Sequence, residues 1–378
     1  MTDIQASELL KILNLGNSVA EFDADLQDYF LETETFRSVI RGERDIVAGD
    51  KGTGKTAIYR VLQQNYRSYP ELENVEVITA FNPQGNPIFQ RLAHGSLLSE
   101  GLYQTVWKSY ILSLVGNWII DIYGDSYNDH ITKLTSTLEH LDLRSVDTSP
   151  ETIFGRLVRL LNNLSSPSEI EVAFSVTEYG LPVVVPKVSF GSERKKGDVI
   201  HSDEFLTVLD RAAESTELEL WVLFDRLDEA FTGFPNVELP ALRALFRSYL
   251  DLSGLKNIKL KLFVRKDLLR RIVQGGFVNL THINARRIDI VWEDEDLFNM
   301  LVRRVRRNND FAESTELSAK SDDEVLGILF PPQIDVGERK PTTKSWIASR
   351  IRDGNNSKPP RNLIDLANKS KENQSKRK

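Results

Sequence analysis

Cysteine is absent from this 378-residue sequence, and histidine and methionine number only five and two. With no thiol there is no disulfide, no thiolate-ligated zinc, no iron–sulfur cluster and no cysteine nucleophile, and a reducing cytoplasmic setting fits. The histidines (His94, His130, His140, His201 and His282) form no HExxH or other close ligand spacing, so a structural zinc is not expected. Long hydrophobic runs are also missing. The longest, Tyr110 to Ile120, contains Ser113, Gly116 and Asn117 and runs into Asp121, well short of the ~18 apolar residues of a spanning helix. The opening stretch MTDIQASELLKILNLGNS has neither a basic n-region nor an apolar core ending in a small-residue cleavage site. A cytoplasmic protein with no membrane contact is therefore expected. Net charge is −7, from 48 Lys and Arg against 55 Asp and Glu, so any polyanion contact has to be local. A composition of 40% hydrophobic and 27% charged residues excludes dominant disorder and suits one large domain or two modest ones.

What is present begins with a glycine loop. Asp45-Ile46-Val47-Ala48 is a short run of β-formers, Gly49-Asp50-Lys51-Gly52-Thr53-Gly54-Lys55-Thr56 follows, and Ala57 to Gln64 reads as a helix. The spacing is the complete GxxxxGK[ST] phosphate-loop pattern in its strand–loop–helix setting. Gly49, Gly52 and Gly54 free the backbone to turn and to bring successive N–H groups onto phosphates. The helix presents its positive end to the anion, Lys55 adds a charge near the β- and γ-phosphates, and Thr56 offers a hydroxyl to Mg²⁺. The expected nucleotide-binding set is Gly49, Asp50, Lys51, Gly52, Thr53, Gly54, Lys55, Thr56 and Ala57; for Lys51 an exposed loop lysine is the preferred reading.

A second signal is an acidic strand end. Leu220-Trp221-Val222-Leu223-Phe224 leads into Asp225-Arg226-Leu227-Asp228-Glu229. A phosphate loop that holds Mg²⁺–nucleotide needs a carboxylate at the end of a neighbouring apolar strand, and Asp225 is placed to supply it, with Thr56 as the other metal-directed residue. Asp228 or Glu229 is expected to orient and deprotonate the attacking water, the choice between them staying open. Arg265 closes the next apolar strand, Leu260 to Val264, at the edge where open α/β sheets bind ligands, and is expected to sense the γ-phosphate. Arg286 or Arg287 is a candidate arginine finger, and Arg361, after Lys358-Pro359-Pro360, a candidate to close over the phosphates.

The remaining pattern alternates. Strands are expected at Val75–Ala80, Leu218–Phe224, Ile258–Val264 and Arg286–Trp292. Helices are expected around Trp107–Ile122, Ile131–Leu141, from Ser202 to Ser215, and at Leu239–Leu252, Glu293–Asn308 and Thr343–Arg352. Val-rich runs at Ile170–Phe174 and Val183–Phe190 read as a hairpin closed by the charged Ser192–Asp198 loop. The last eleven residues, with five Lys or Arg and one Glu, read as frayed. The fold class is α/β: a parallel sheet flanked by helices, a mostly helical insertion with a hairpin, and a C-terminal helical lid. The expected divisions are residues 1–43 (N-terminal helical segment), 44–82 (first core part), 83–200 (insertion), 201–292 (second core part) and 293–378 (lid and basic tail).

The loop Gly49–Thr56, the strand end Leu223–Glu229 and Arg265 resemble those of signal-transduction (STAND) and KAP-type ATPases, an AAA+-like, additional-strand class of P-loop NTPases. With Leu15-Gly16-Asn17-Ser18-Val19-Ala20-Glu21-Phe22-Asp23 and Tyr29-Phe30 included, the chain more closely resembles a bacterial family of stand-alone P-loop ATPases. The likeness covers about residues 15–82 and 200–307, with Pro360-Arg361 beyond. It implies Mg²⁺-dependent ATP binding and hydrolysis by a homo-oligomer acting with a separate effector protein, and a setting in antiviral defence or mobile loci. KAP-type membrane helices and STAND-type repeats are not apparent. A nucleotide switch or scaffold with little hydrolysis is the alternative. Residues 259–307, with twelve Lys or Arg against six Asp or Glu, add a nucleic-acid-stimulated ATPase as a third. GTP is disfavoured because no NKxD string is present, and a small-molecule kinase fits the long insertion less well.

Overall fold

The computed structural model describes residues 3–80, 100–162, 183–184, 200–229, 235–274 and 280–376. In chain order the main elements are α1 (Asp3–Ile12), α2 (Glu34–Ile40), β1 (Ile46–Gly49), α3 (Lys55–Asn65), β2 (Val75–Thr79), α4 (Glu100–Tyr123), α5 (Asp129–His140) and α6 (Pro150–Asn162). There follow α7 (Ser202–Glu214), β3 (Glu219–Phe224), α8 (Pro235–Leu252), β4 (Ile258–Arg265), α9 (Lys266–Gln274), α10 (Leu280–Ala285) and β5 (Arg287–Asp289). The C-terminal part adds α11 (Asp294–Arg306), α12 (Asn309–Ser314), α13 (Asp322–Leu329), α14 (Thr343–Arg350) and α15 (Pro360–Ser375). The class is α/β, as expected, with parallel strands and flanking helices. The chain divides into two compact units, residues 1–66 with 288–378, and residues 67–287.

In the unit of residues 67–287, β2, β3 and β4 run parallel in that order. Val75 faces Glu219 and Thr79 faces Leu223 across one pair; Leu220 faces Ile258 and Phe224 faces Leu262 across the next. Leu220 to Phe224 and Leu262 to Val264 are all buried, the continuous apolar reading of strands covered on both faces. Helix α4 contains the longest apolar stretch of the sequence and is the reason that stretch exists. Tyr103, Trp107, Tyr110, Ile111, Leu114, Val115 and Ile119 are buried around its circumference, as in a core helix surrounded by protein. Trp107 donates its indole N–H to the Ala241 carbonyl of α8 at 2.8 Å, and it stacks edge-on with Phe224 of β3 at 5.8 Å. The buried Asn117 satisfies its amide on the Ser113 and Leu143 carbonyls and accepts from the Ser145 N–H. Among the described residues no helix is long and apolar enough to cross a membrane.

The other unit brings together the two ends of the chain. Leu13 and Leu15 join Leu297, Leu301 and Val305 of α11 and Leu363, Ile364 and Ala367 of α15 in one apolar core. Strand β1 lies beside β5, where the Ile290 N–H donates to the Ala48 carbonyl at 2.8 Å. One expectation is corrected here: the basic tail is not frayed from Asn368. Helix α15 continues to Ser375. The Asn368 amide donates to the Gly16 carbonyl at 3.1 Å and Lys371 Nζ to the Leu13 carbonyl at 2.9 Å, so these polar residues are tied to the N-terminal turn rather than repelled into solvent. The 170–174 arm of the expected hairpin, most of its second arm and the 192–198 loop lie outside the described residues. Val183–Val184 pairs antiparallel with Ile200–His201.

Candidate functional site

The glycine loop leaves β1 and enters α3 through two backbone positions that a side chain would strain. Gly52 has φ +79° and Gly54 φ +101°, the region L-residues avoid. Gly54 caps α3 with no side-chain hydrogen bond, so the first-turn amides face the loop without a side-chain acceptor from the cap. Thr53 Oγ1 donates to the Asp50 carbonyl at 2.9 Å. Lys55 Nζ folds back across the loop and donates to the carbonyls of Gly49 at 2.9 Å and Asp50 at 3.0 Å. That places an ammonium group and the start of an eleven-residue helix at one turn of backbone. Lys51 is exposed.

A pocket opens beside this loop, lined by Gly52 through Ile58 and, from the rest of the same unit, by Met300 and Arg304 of α11 and by three further stretches. The first is the N-terminal segment, with Ala20, Leu26, Tyr29 and Phe30. The second is the exit of β5, with Ile290 and Trp292. The third is the start of α15, with Pro360, Arg361 and Ile364. Trp292 donates its indole N–H to the Thr53 carbonyl at 2.9 Å, bracing the loop from outside. Gly52 is pressed by the α15 start: a Cβ there would lie 3.1 Å from Arg361 Cβ and 3.4 Å from Pro359 Cβ. Arg361, expected over the phosphates, thus stands at the loop and lines the pocket.

Behind the pocket is a buried polar cluster whose members the sequence names only separately, Asp23 and Tyr29 in the stretch that carries the resemblance and Arg304 in a basic run. Arg304 of α11 and Asp23, 4% and 2% exposed, form an ion pair at 2.9 Å. The Tyr29 hydroxyl donates to the other Asp23 oxygen, and the Arg304 guanidinium lies over the Tyr29 ring at 4.3 Å. Arg304 also donates to the Leu15 carbonyl at 2.6 Å. Burial, then the Asp23 hydrogen bond, pushes the Tyr29 hydroxyl well above the ordinary tyrosine value, with Arg304 pulling weakly the other way.

The acidic strand end belongs to the unit of residues 67–287. Asp225 is buried at the end of β3. Arg226, next to it, has φ +55°, a left-handed conformation costing a non-glycine residue roughly 1–2 kcal/mol. Arg265, at the end of β4, is bound by Asp228 at 3.3 Å and Asp267 at 2.8 Å. Burial alone would lower the Arg265 pKa and raise that of Asp267, but their mutual hydrogen bond and charge reverse both directions. Glu229 lies 3.6 Å from Arg226. The structure therefore brings Asp228 and Arg265 together as a pair.

The paired arginines of α11 have intrachain partners. Arg303 donates to the Phe30 carbonyl, Arg306 to the Leu317 and Lys320 carbonyls and to Asp322, and Arg307 to Asp28. Among the described residues no group of three or more His, Asp or Glu side chains is placed to hold a metal ion by itself. Comparison of the chain with protein-family models, with curated proteins and with solved structures finds no match.

Proposed function

We propose that the chain is an Mg²⁺-dependent ATPase of the P-loop type. The observation that carries the reading is the loop itself: a strand–turn–helix with glycines at the two left-handed positions, an N-terminally uncapped helix, and Lys55 folded over the turn. Backbone N–H groups converging with a lysine and a helix N-terminus are a triphosphate-binding chemistry, and the adjoining slot, with its apolar walls, suits a flat heteroaromatic base. Lys55 and the loop amides would neutralise the β- and γ-phosphates as charge develops in an in-line displacement.

Thr56 and Asp225, one in each unit, are hard oxygen donors of the kind Mg²⁺ takes. When bound, Mg²⁺ would supply charge neutralisation for a phosphoryl transfer. Asp228 stands by Arg265 and Glu229 by Arg226; we assign the water-orienting role to one of these two carboxylates and the γ-phosphate sensor role to Arg265.

The test is phosphate release and calorimetric binding with Mg²⁺–ATP and Mg²⁺–GTP. Lys55→Ala is expected to abolish both binding and turnover, and one of Asp228→Asn and Glu229→Gln to keep binding while lowering turnover by at least about 100-fold. Wild-type turnover no faster than that of Lys55→Ala would overturn the reading.

A further inference from the structure

The pocket's N-terminal wall is a stretch of chain with little regular structure. Residues 17–31 contain two single-turn 3₁₀ segments, Ala20–Phe22 and Leu26–Tyr29, and such a segment does not hold its own shape. Its shape comes from outside. On one side Arg60 of α3 donates to the carbonyls of Ala20 and Asp23, and Gln27 bonds Gln64. On the other, Asp23 is the hub: it takes Arg304, the Tyr29 hydroxyl and the Asn17 N–H.

Gly16 is the residue that permits this crowding. Its φ is +72°, and a Cβ there would meet the Tyr29 hydroxyl, Arg304 Nη1 at 2.6 Å and Asp23 Oδ1 at 2.7 Å. A buried ion pair is a poor source of stability, because desolvation offsets most of the attraction. It does supply direction: three groups saturated by one carboxylate have few alternative arrangements. Tyr29 and Arg304 line the pocket, whereas Asp23 does not.

We propose that Asp23 is a positioning residue for base recognition: acting through Arg304 and Tyr29, it fixes the 17–31 segment as the wall against which the nucleobase packs. The inference rests on the nucleotide-site reading above and goes further, because it separates two contributions to affinity. Triphosphate affinity comes from the glycine loop. The additional affinity of ATP over a bare triphosphate comes from the wall that Asp23 holds.

The experiment measures dissociation constants of Mg²⁺–ATP and Mg²⁺–tripolyphosphate by calorimetry for the full chain, wild-type, Asp23→Asn, Tyr29→Phe and Lys55→Ala. Asp23→Asn keeps the shape and removes the charge. It is expected to weaken ATP about tenfold or more and tripolyphosphate by less than about twofold. KM for ATP should rise while kcat stays within about threefold. Tyr29→Phe, which removes one hydroxyl, should shift ATP in the same direction by a smaller factor, and it carries the comparison if Asp23→Asn does not fold. Equal weakening of both ligands, or of neither, in the folded variants would overturn the inference while leaving the nucleotide site standing. Absence of binding of either ligand to wild type, or binding unaffected by Lys55→Ala, would overturn both.

Discussion

Gly16 and Gly124 form a controlled pair for the buried cluster behind the pocket. Both have positive φ, +72° and +86°, so alanine at either should incur the same left-handed penalty of roughly 1–2 kcal/mol. They differ in what the added methyl meets. At Gly124 no atom lies within 4 Å, whereas at Gly16 the methyl enters the space between Asp23, Arg304 and Tyr29. Those side chains are buried, and the least costly escape is separation of the ion pair. Disrupting a buried pair costs roughly 3–5 kcal/mol. Gly124→Ala should therefore cost about 1–2 kcal/mol and Gly16→Ala about 4–7 kcal/mol, the latter a large fraction of the 5–15 kcal/mol that holds a typical domain. Thermal unfolding of the full chain, followed by circular dichroism, separates the two. At about 2–4 °C per kcal/mol for units of this size, Gly16→Ala should melt at least about 8 °C below wild type and well below Gly124→Ala. In an Asp23→Asn background the Gly16→Ala increment should shrink, since the two changes disrupt the same contacts. Equal melting points for the two alanine variants would refute the claim that Gly16 exists to make room for the cluster.

Other outcomes follow from single contacts. Trp292→Phe removes the indole donor to the Thr53 carbonyl. At about 0.5–1.5 kcal/mol for a net hydrogen bond, ATP affinity measured by calorimetry should fall by roughly twofold to tenfold, and any ATP-induced change in Trp292 emission should disappear. Because burial and Asp23 raise the Tyr29 pKa in the folded chain, the unfolded chain loses that proton first. The stabilising contribution is complete below about pH 10, the ordinary tyrosine value, and declines as pH rises above it. Urea midpoints should therefore fall more steeply above pH 10 in wild type than in Tyr29→Phe, and identical slopes would contradict the assignment.

Much of this architecture was legible in local patterns. The β1–loop–α3 unit could be read because each part has its own short-range cause: an apolar run, glycines where φ must turn positive, then helix formers. The buried strands β3 and β4 and the long core helix α4 announced themselves as continuous apolar runs for the same reason. Asp225 stands where such a run ends, and Arg226 with its left-handed φ follows it. The pairing of Asp228 with Arg265 was not legible, because it depends on which side chains two parallel strands present at their common edge.

What the sequence by itself determined is the backbone course of the glycine loop, a strand turning through Gly52 and Gly54 into a helix, since that course depends on nearest neighbours. Tertiary structure decided what surrounds it. Gly16, Asp23 and Tyr29 stand near one terminus, while Trp292, Arg304 and Arg361 lie hundreds of residues away. None has a periodicity or spacing that ties it to the others; Arg304 reads along the chain as one member of a basic run. Only when the two ends of the chain share a core does that arginine become the buried partner of Asp23, and the polar tail at Asn368 and Lys371 the anchor of the N-terminal turn. A charge's role depends on what shields it from water, and shielding is a property of the fold rather than of the local sequence.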